Sequence, residues 1–489
     1  MTSIRNLDDL AGEFEQFTNQ LKEQRYNQFA GLPYEKEKME SVSESLVELS
    51  SEFLNSYEKP RNFYLEAITT IADARKLPLT LEIYDNRMRT ISTKAFEIHK
   101  KPVNWGSWRQ FNAQASNSKH RKQVFDEFIG KAPGLGPMII KRFNISRQVH
   151  SLYESSPLEV YIEKELISYE KLRDFIIALG DGAKRPFLLA ADHFAPDILD
   201  KERFEYFDDF YVARGRIYSP LNTYFEKKNP LKVIDNILTA WDFGDDLKRI
   251  KVDSEDRENK TPSAFCFGIH IPNDVRVVFK HVSPFSDFTS VFHEFGHAIH
   301  GTSGNPDDPF WTRYLIPMSV AETFSTFLEM LMENPIFLKQ ELKLPEEAIR
   351  EILDRRHFMN LFFLVFYASN SLMKLEFWKN EYSLEQASSR FQELTERFFW
   401  EMPGNYWLLH HIMPDYDLYA PSYLLASIRV KEWIEQMIDE YGEEFWKNKQ
   451  AGAVFRDLAA TRALFDMSVW DMDPKPYLEE QSQFSFSED

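Results

Sequence analysis

Apolar residues return at alternating intervals of three and four along most of this chain, and that interval commits it to helices. Leu7, Leu10, Phe14, Phe17 and Leu21 follow it, as do Met39, Val42, Leu46, Leu49 and Phe53. Residues 31–33 and Pro60 punctuate the two stretches, which predicts an antiparallel helix pair at the N-terminus. Helical patterning continues through the first half, broken by "GKAPGLGP" (130–137) and "GDGAKRP" (180–186). Neither has phosphate-loop spacing, so both are read as turns. The clear strand signal is "AFCFGIHI" (264–271) and "VRVVFKHV" (275–282) around the turn residues 272–274, a β-hairpin by its β-branched and aromatic content. The expected fold is mainly α with one small sheet.

With 489 residues the chain can bury a large core, and 43% hydrophobic with 28% charged residues is a soluble globular composition. A net charge of −19 argues against nucleic acid and anionic membrane surfaces as partners. A single cysteine, Cys266, excludes an internal disulfide framework and a Cys-rich zinc module. The first residues lack the basic start and apolar core of a signal peptide. The greasiest run, "LFFLVFYA" (361–368), is too short to span a bilayer. The expectation is a cytoplasmic protein, a monomer or small homo-oligomer.

Just after the hairpin, "VFHEFGHAIHG" (291–301) contains H-E-x-x-H. On a helix, residues four apart share a face, so His293 and His297 can bind one metal ion. Ser290 and His300 fall on the same side, while Val291, Phe292, Phe295, Ala298 and Ile299 form an apolar back. Gly296 borders the histidine side and leaves room for a close neighbour. A zinc hydrolase needs a third ligand and an open position. Ser303 stands where the H-E-x-x-H-x-x-G-x-x-H pattern has its last histidine, so a carboxylate farther on is the other option. The next helix opens at Pro317 and stops at Asn334, with Glu322, Thr326, Glu329 and Glu333 opposite its apolar stripe. For Glu333, a solvated acidic face is the expected role.

"SDFTSVFHEFGHAIHG" followed by "AETFSTFLE" resembles the thimet oligopeptidase and oligoendopeptidase F family of zinc peptidases. The resemblance implies Glu322 as third metal ligand, twenty-five residues after His297, with Glu329 and Asp287 orienting the histidine rings. In "HHIMPDYDLYAPSYLLAS", His411, Tyr416 and Tyr423 stand at the family's active-site offsets. His410 competes with His411, and Tyr419 sits one place before a family tyrosine, where Ala420 stands instead. The hairpin resembles the family strand that would pair with extended substrate. The implied fold is neurolysin-like: two helical halves, residues 1–250 and 251–489, interlocked and flanking a deep substrate channel, with the small sheet beside the metal helix.

The implied chemistry uses one Zn²⁺ per chain, held by His293, His297 and Glu322, with water in the fourth place. Glu294 is the expected general base, and Tyr423, Tyr416 and His411 the donors to the developing oxyanion. His300 as a fourth ligand would close the site. A place beside the metal, a substrate contact or a plain polar surface role is expected for it. Short unfolded peptides, cut internally, are the expected substrates. A carboxypeptidase Taq-like zinc enzyme is the alternative, since it shares the motif and a glutamate at similar distance but trims chain ends. A peptide-binding protein that has lost catalysis is the other, although Glu294 and all three ligands are present here.

Overall fold

Leu7–Phe29 and Lys36–Ser56 form the first two helices of the computed structural model. It describes residues 6–56, 60–89, 103–199, 201–257, 260–261, 263–410, 417–466 and 472–486. Asn6 caps the first helix by accepting the Asp8 N–H. Pro60 precedes a third helix, Arg61–Arg89, at a point where its missing N–H costs nothing. Leu10 and Phe14, Val42, Leu46 and Phe53, and Phe63 and Ile68 close one core among these three helices.

Two larger cores follow, and both draw on residues from either side of position 250. The first joins residues between Leu79 and Ile217 to residues between Phe358 and Ile428. Its spine is the pair of long helices Tyr169–Leu199 and Glu346–Asn380, which pack on each other. The second runs from Leu221 through the metal motif to Ile352, and then from Val430 to Phe465.

Both expected turns in the first half are helical. Residues 130–137 are a short 3₁₀ joint, Ala132–Leu135, between two α-helices. Residues 180–186 lie inside Tyr169–Leu199, with Pro186 in its interior. The glycines there serve close packing instead of a change of direction. A Cβ on Gly180 would come within 2.6 Å of the Phe398 ring, and one on Gly182 within 2.5 Å of Leu478.

The apolar run at 361–368 belongs to the 35-residue helix Glu346–Asn380, which is long and apolar enough to cross a membrane. Most of its apolar window, 83%, is buried inside the protein. That burial accounts for the composition.

The hairpin forms as β2 (Phe265–His270) and β3 (Asp274–Val278), antiparallel, with Cys266 opposite Val277. The sequence reading missed β1 (Ile250–Asp253), which pairs parallel with β3 to give the order β1–β3–β2. Four residues are too few to carry a period, and the partner lies beyond a long connection. One face of the sheet packs Val275 and Val277 on Ala298 of the motif helix. The other face meets Tyr26 and Phe29 of the first helix through Phe265 and Phe267. The sheet thus fixes the motif helix against the N-terminal helices.

Candidate active site

The motif helix spans Pro284–Thr302, opened by a proline whose fixed φ suits the first turn. Phe285, Phe288, Val291, Phe292, Phe295 and Ile299 bury its apolar back in the second core. The opposite side carries His293 and His297, each about one-fifth exposed. Facing them is the glutamate helix, Met318–Glu329, in which Phe324, Phe327 and Leu328 anchor the far side. The two helices touch main chain to side at Gly296, where a Cβ would lie 2.2 Å from the Phe324 carbonyl oxygen. This close approach brings Glu322, which is almost fully buried, onto the histidine pair.

Glu322 Oε2 lies 3.4 Å from His293 Nε2 and 3.8 Å from His297 Nε2. The three donor atoms are all within 4.8 Å of one another, the one such trio among the described residues. Ligands about 2.0–2.1 Å from a tetrahedral zinc ion sit about 3.3–3.4 Å apart. Two imidazoles and one carboxylate at these separations therefore fit zinc, and three protein ligands leave a fourth position open.

Around this trio lies a shell of hydrogen bonds. His293 Nδ1 is 3.0 Å from Glu329 Oε2. The other oxygen of Glu329 accepts from Arg356 Nη1 at 3.0 Å. Arg356 also binds Glu333, which takes a further bond from Asn360 at 2.8 Å. Glu333 is thus an ion-pair partner beneath the site, not part of a solvated face. His297 hydrogen-bonds the Ala321 main chain, one residue from Glu322. Ser325 Oγ donates to Glu322 Oε2 at 3.1 Å, and the Tyr419 hydroxyl donates to Glu322 Oε1.

Asp287 is placed differently from the expectation. Its carboxylate accepts from Val282 N at 3.0 Å and pairs with His281 Nδ1 at 2.9 Å. At ~1.5 Å per residue it stands about 9 Å along the axis from His293 and about 15 Å from His297, beyond side-chain reach. His300 is buried, with its ring stacked on Phe324 at 4.2 Å. It is therefore neither a surface residue nor part of the donor trio. His411 and Tyr416 lie outside the described residues, and of the His410 side chain nothing is described.

Tyr419 and Tyr423 begin the tyrosine helix, Ala420–Tyr441, and their rings meet edge to face at 5.0 Å. Tyr423 also stacks on Tyr367 of the long helix at 5.1 Å. Tyr367 was not singled out in the sequence. Nothing in an apolar helix more than fifty residues away marks it as a neighbour of this site.

Electrostatics divide the acidic and basic roles. Burial pushes the Glu294 carboxyl up to about 7. Burial would also raise Glu322 and Glu329, but the nearby histidines and Arg356 outweigh it and hold both at about 2. Burial lowers His297 to about 4. For His293 burial opposes the charge, yet hydrogen bonds to Glu322 and Glu329 prevail and raise it well above its ordinary value. Burial, then the Glu322 charge, lifts the Tyr423 hydroxyl well above its usual range, so it stays a proton donor.

Residues 221–473 match the sequence pattern of peptidase family M3. Among solved structures the chain is similar to PZ peptidase A, solved with an inhibitor, at 11% identity and a TM-score of 0.54. That match covers 97% of this chain and 82% of the other. It is also similar to a protein assigned as an oligoendopeptidase F from Bacillus anthracis strain Ames, at 13% identity and a TM-score of 0.54. That match covers 91% of this chain and 80% of the other. At these identities the likeness carries the fold. No curated protein matches the chain. The family match spans just over half of the chain and includes every residue of the donor trio, and the chain belongs to peptidase family M3, the zinc-dependent metallopeptidases.

Proposed function

We propose that this metallopeptidase is an oligoendopeptidase that hydrolyses internal bonds of short, unfolded peptides. The observation that supports it most is a three-ligand donor set with a buried carboxylic acid, Glu294, one residue from His293. Zinc held by His293, His297 and Glu322 would supply a Lewis acid that makes water more acidic and polarises the peptide carbonyl. Glu294, with its carboxyl near neutrality, takes a proton from the attacking water and hands it to the departing amine. Tyr423 keeps its hydroxyl proton and donates it as a hydrogen bond to the oxyanion. Tyr419 and Ser325 hold the Glu322 carboxylate, and Glu329 holds the His293 ring. Among the described residues the strand β2 has a sheet neighbour on one side only, so an extended peptide can add to its other edge. A channel between helical halves would admit unfolded peptides and exclude folded proteins.

Glu294→Gln is expected to retain stoichiometric zinc while losing peptide hydrolysis by several orders of magnitude. Peptides blocked at both ends decide between internal cutting and end trimming. Hydrolysis of blocked peptides is the expected result, and hydrolysis restricted to peptides with a free C-terminus would favour the carboxypeptidase reading.

A further inference from the structure

Glu165 lies upstream of the family match, in the first half of the chain, and nearly all of its surface is buried. It caps the short helix Pro157–Lys164, and the next residue, Leu166, turns the chain at φ 51°. That turn sends the Glu165 side chain inward among the first turns of two other helices. Its Oε1 accepts the main-chain N–H of Ser319 at 3.2 Å, and its Oε2 accepts the Ser319 hydroxyl at 2.5 Å. Oε1 also accepts the Ser422 hydroxyl at 3.3 Å, and Ser422 is bonded in turn to the Tyr161 hydroxyl at 2.8 Å. Beyond Ser319, Arg429 of the tyrosine helix donates to the Ser319 carbonyl at 3.2 Å and to the Thr323 hydroxyl at 2.8 Å.

Ser319 stands one turn before Glu322, and Ser422 is the residue before Tyr423. One buried carboxylate therefore sits at the N-terminal, partially positive ends of both the glutamate helix and the tyrosine helix. Charge-assisted bonds of this kind are short, directional and costly to leave unmade in a buried setting. We propose that Glu165 is a positioning residue for the active site, tying the metal-ligand helix and the oxyanion-donor helix into one register from the N-terminal half. This rests on the peptidase reading above, and the two halves of the bridge predict separable effects. Through Ser319, Glu165 sets Glu322 and hence zinc affinity. Through Ser422, it sets Tyr423 and hence turnover.

The test measures zinc affinity by chelator competition, and kcat and KM on a doubly blocked fluorogenic peptide at saturating zinc. Glu165→Gln preserves the shape but cannot accept at both oxygens. It is expected to weaken zinc binding about 10–100-fold, the usual effect of losing a group that orients a ligand. It should also lower kcat about tenfold or more, with KM little changed. Ser319→Ala should reproduce chiefly the loss of zinc affinity, and Ser422→Ala chiefly the loss of kcat. Both delete only a hydroxyl, so they keep the question answerable if the glutamate variant does not fold. Wild-type zinc affinity and kcat in all three variants, with only thermal stability reduced, would overturn the positioning role. A wild-type enzyme that hydrolyses no peptide in the presence of zinc would instead overturn the peptidase reading, leaving the zinc-affinity arm to stand alone.

Discussion

At the scale of single residues, the proposed zinc ligands differ in how firmly they hold a proton. Hydrogen bonds to Glu322 and Glu329 raise His293 well above its ordinary value, whereas burial lowers His297 to about 4 and the histidines hold Glu322 at about 2. Zinc binding is therefore expected to release protons, with His293 as a source. The sign follows: a metal and a proton compete for the same nitrogen, so apparent affinity rises with pH until His293 is deprotonated and then levels. Calorimetric titration in two buffers of different ionisation enthalpy measures the released proton. Release of none at pH 7 would contradict the arrangement. Tyr423→Phe should lower kcat about a hundredfold or more with little change in KM, as loss of an oxyanion donor does. At this scale, His293 and His297 were legible because a spacing of four puts them on one helical face. The hydrogen bond that the His297 ring gives to the Ala321 main chain was not legible, because a backbone partner leaves no mark in residue type.

Between elements, the controlling contact is the crossing at Gly296. A methyl group there meets the Phe324 carbonyl oxygen at 2.2 Å and the Ser325 Cα at 2.5 Å, both main-chain atoms that cannot swing aside. Gly296→Ala should push the helices apart and cost about 1–3 kcal/mol of stability, a typical overpacking penalty. It should also weaken zinc binding, because Glu322 moves with the displaced helix. Gly134→Ala, where nothing lies within 4 Å of the added carbon, is the control expected to change neither thermal midpoint nor zinc titration. The hairpin β2–β3 was readable from its β-branched and aromatic content and central turn, whereas β1 was not. Residues 180–186 show why glycine misleads: the same residue that permits a turn also permits a ring, here Phe398, to pack closely against a continuous helix.

For the whole molecule, the helical character was plain from the recurring apolar intervals, but the division of the cores was not. Cores are made by contacts between residues far apart in the chain, and periodicity reports only neighbours one or two turns away. The first core pairs residues up to Ile217 with residues from Phe358 onward. Expressed separately, residues 1–250 and 251–489 should each bind hydrophobic dyes and melt without a cooperative transition, and co-expression should restore both folding and zinc binding. Two soluble halves with sharp melting curves would contradict this. The same interleaving has a consequence for synthesis. At about 5–20 residues per second, the segment ending at Ile428 leaves the ribosome roughly 10–40 s after Ile217 does. Through that interval Phe187, Phe194 and Phe204 lack the Phe358, Phe399 and Trp400 rings that pack on them, so the nascent chain should depend on chaperones far more than the finished enzyme does.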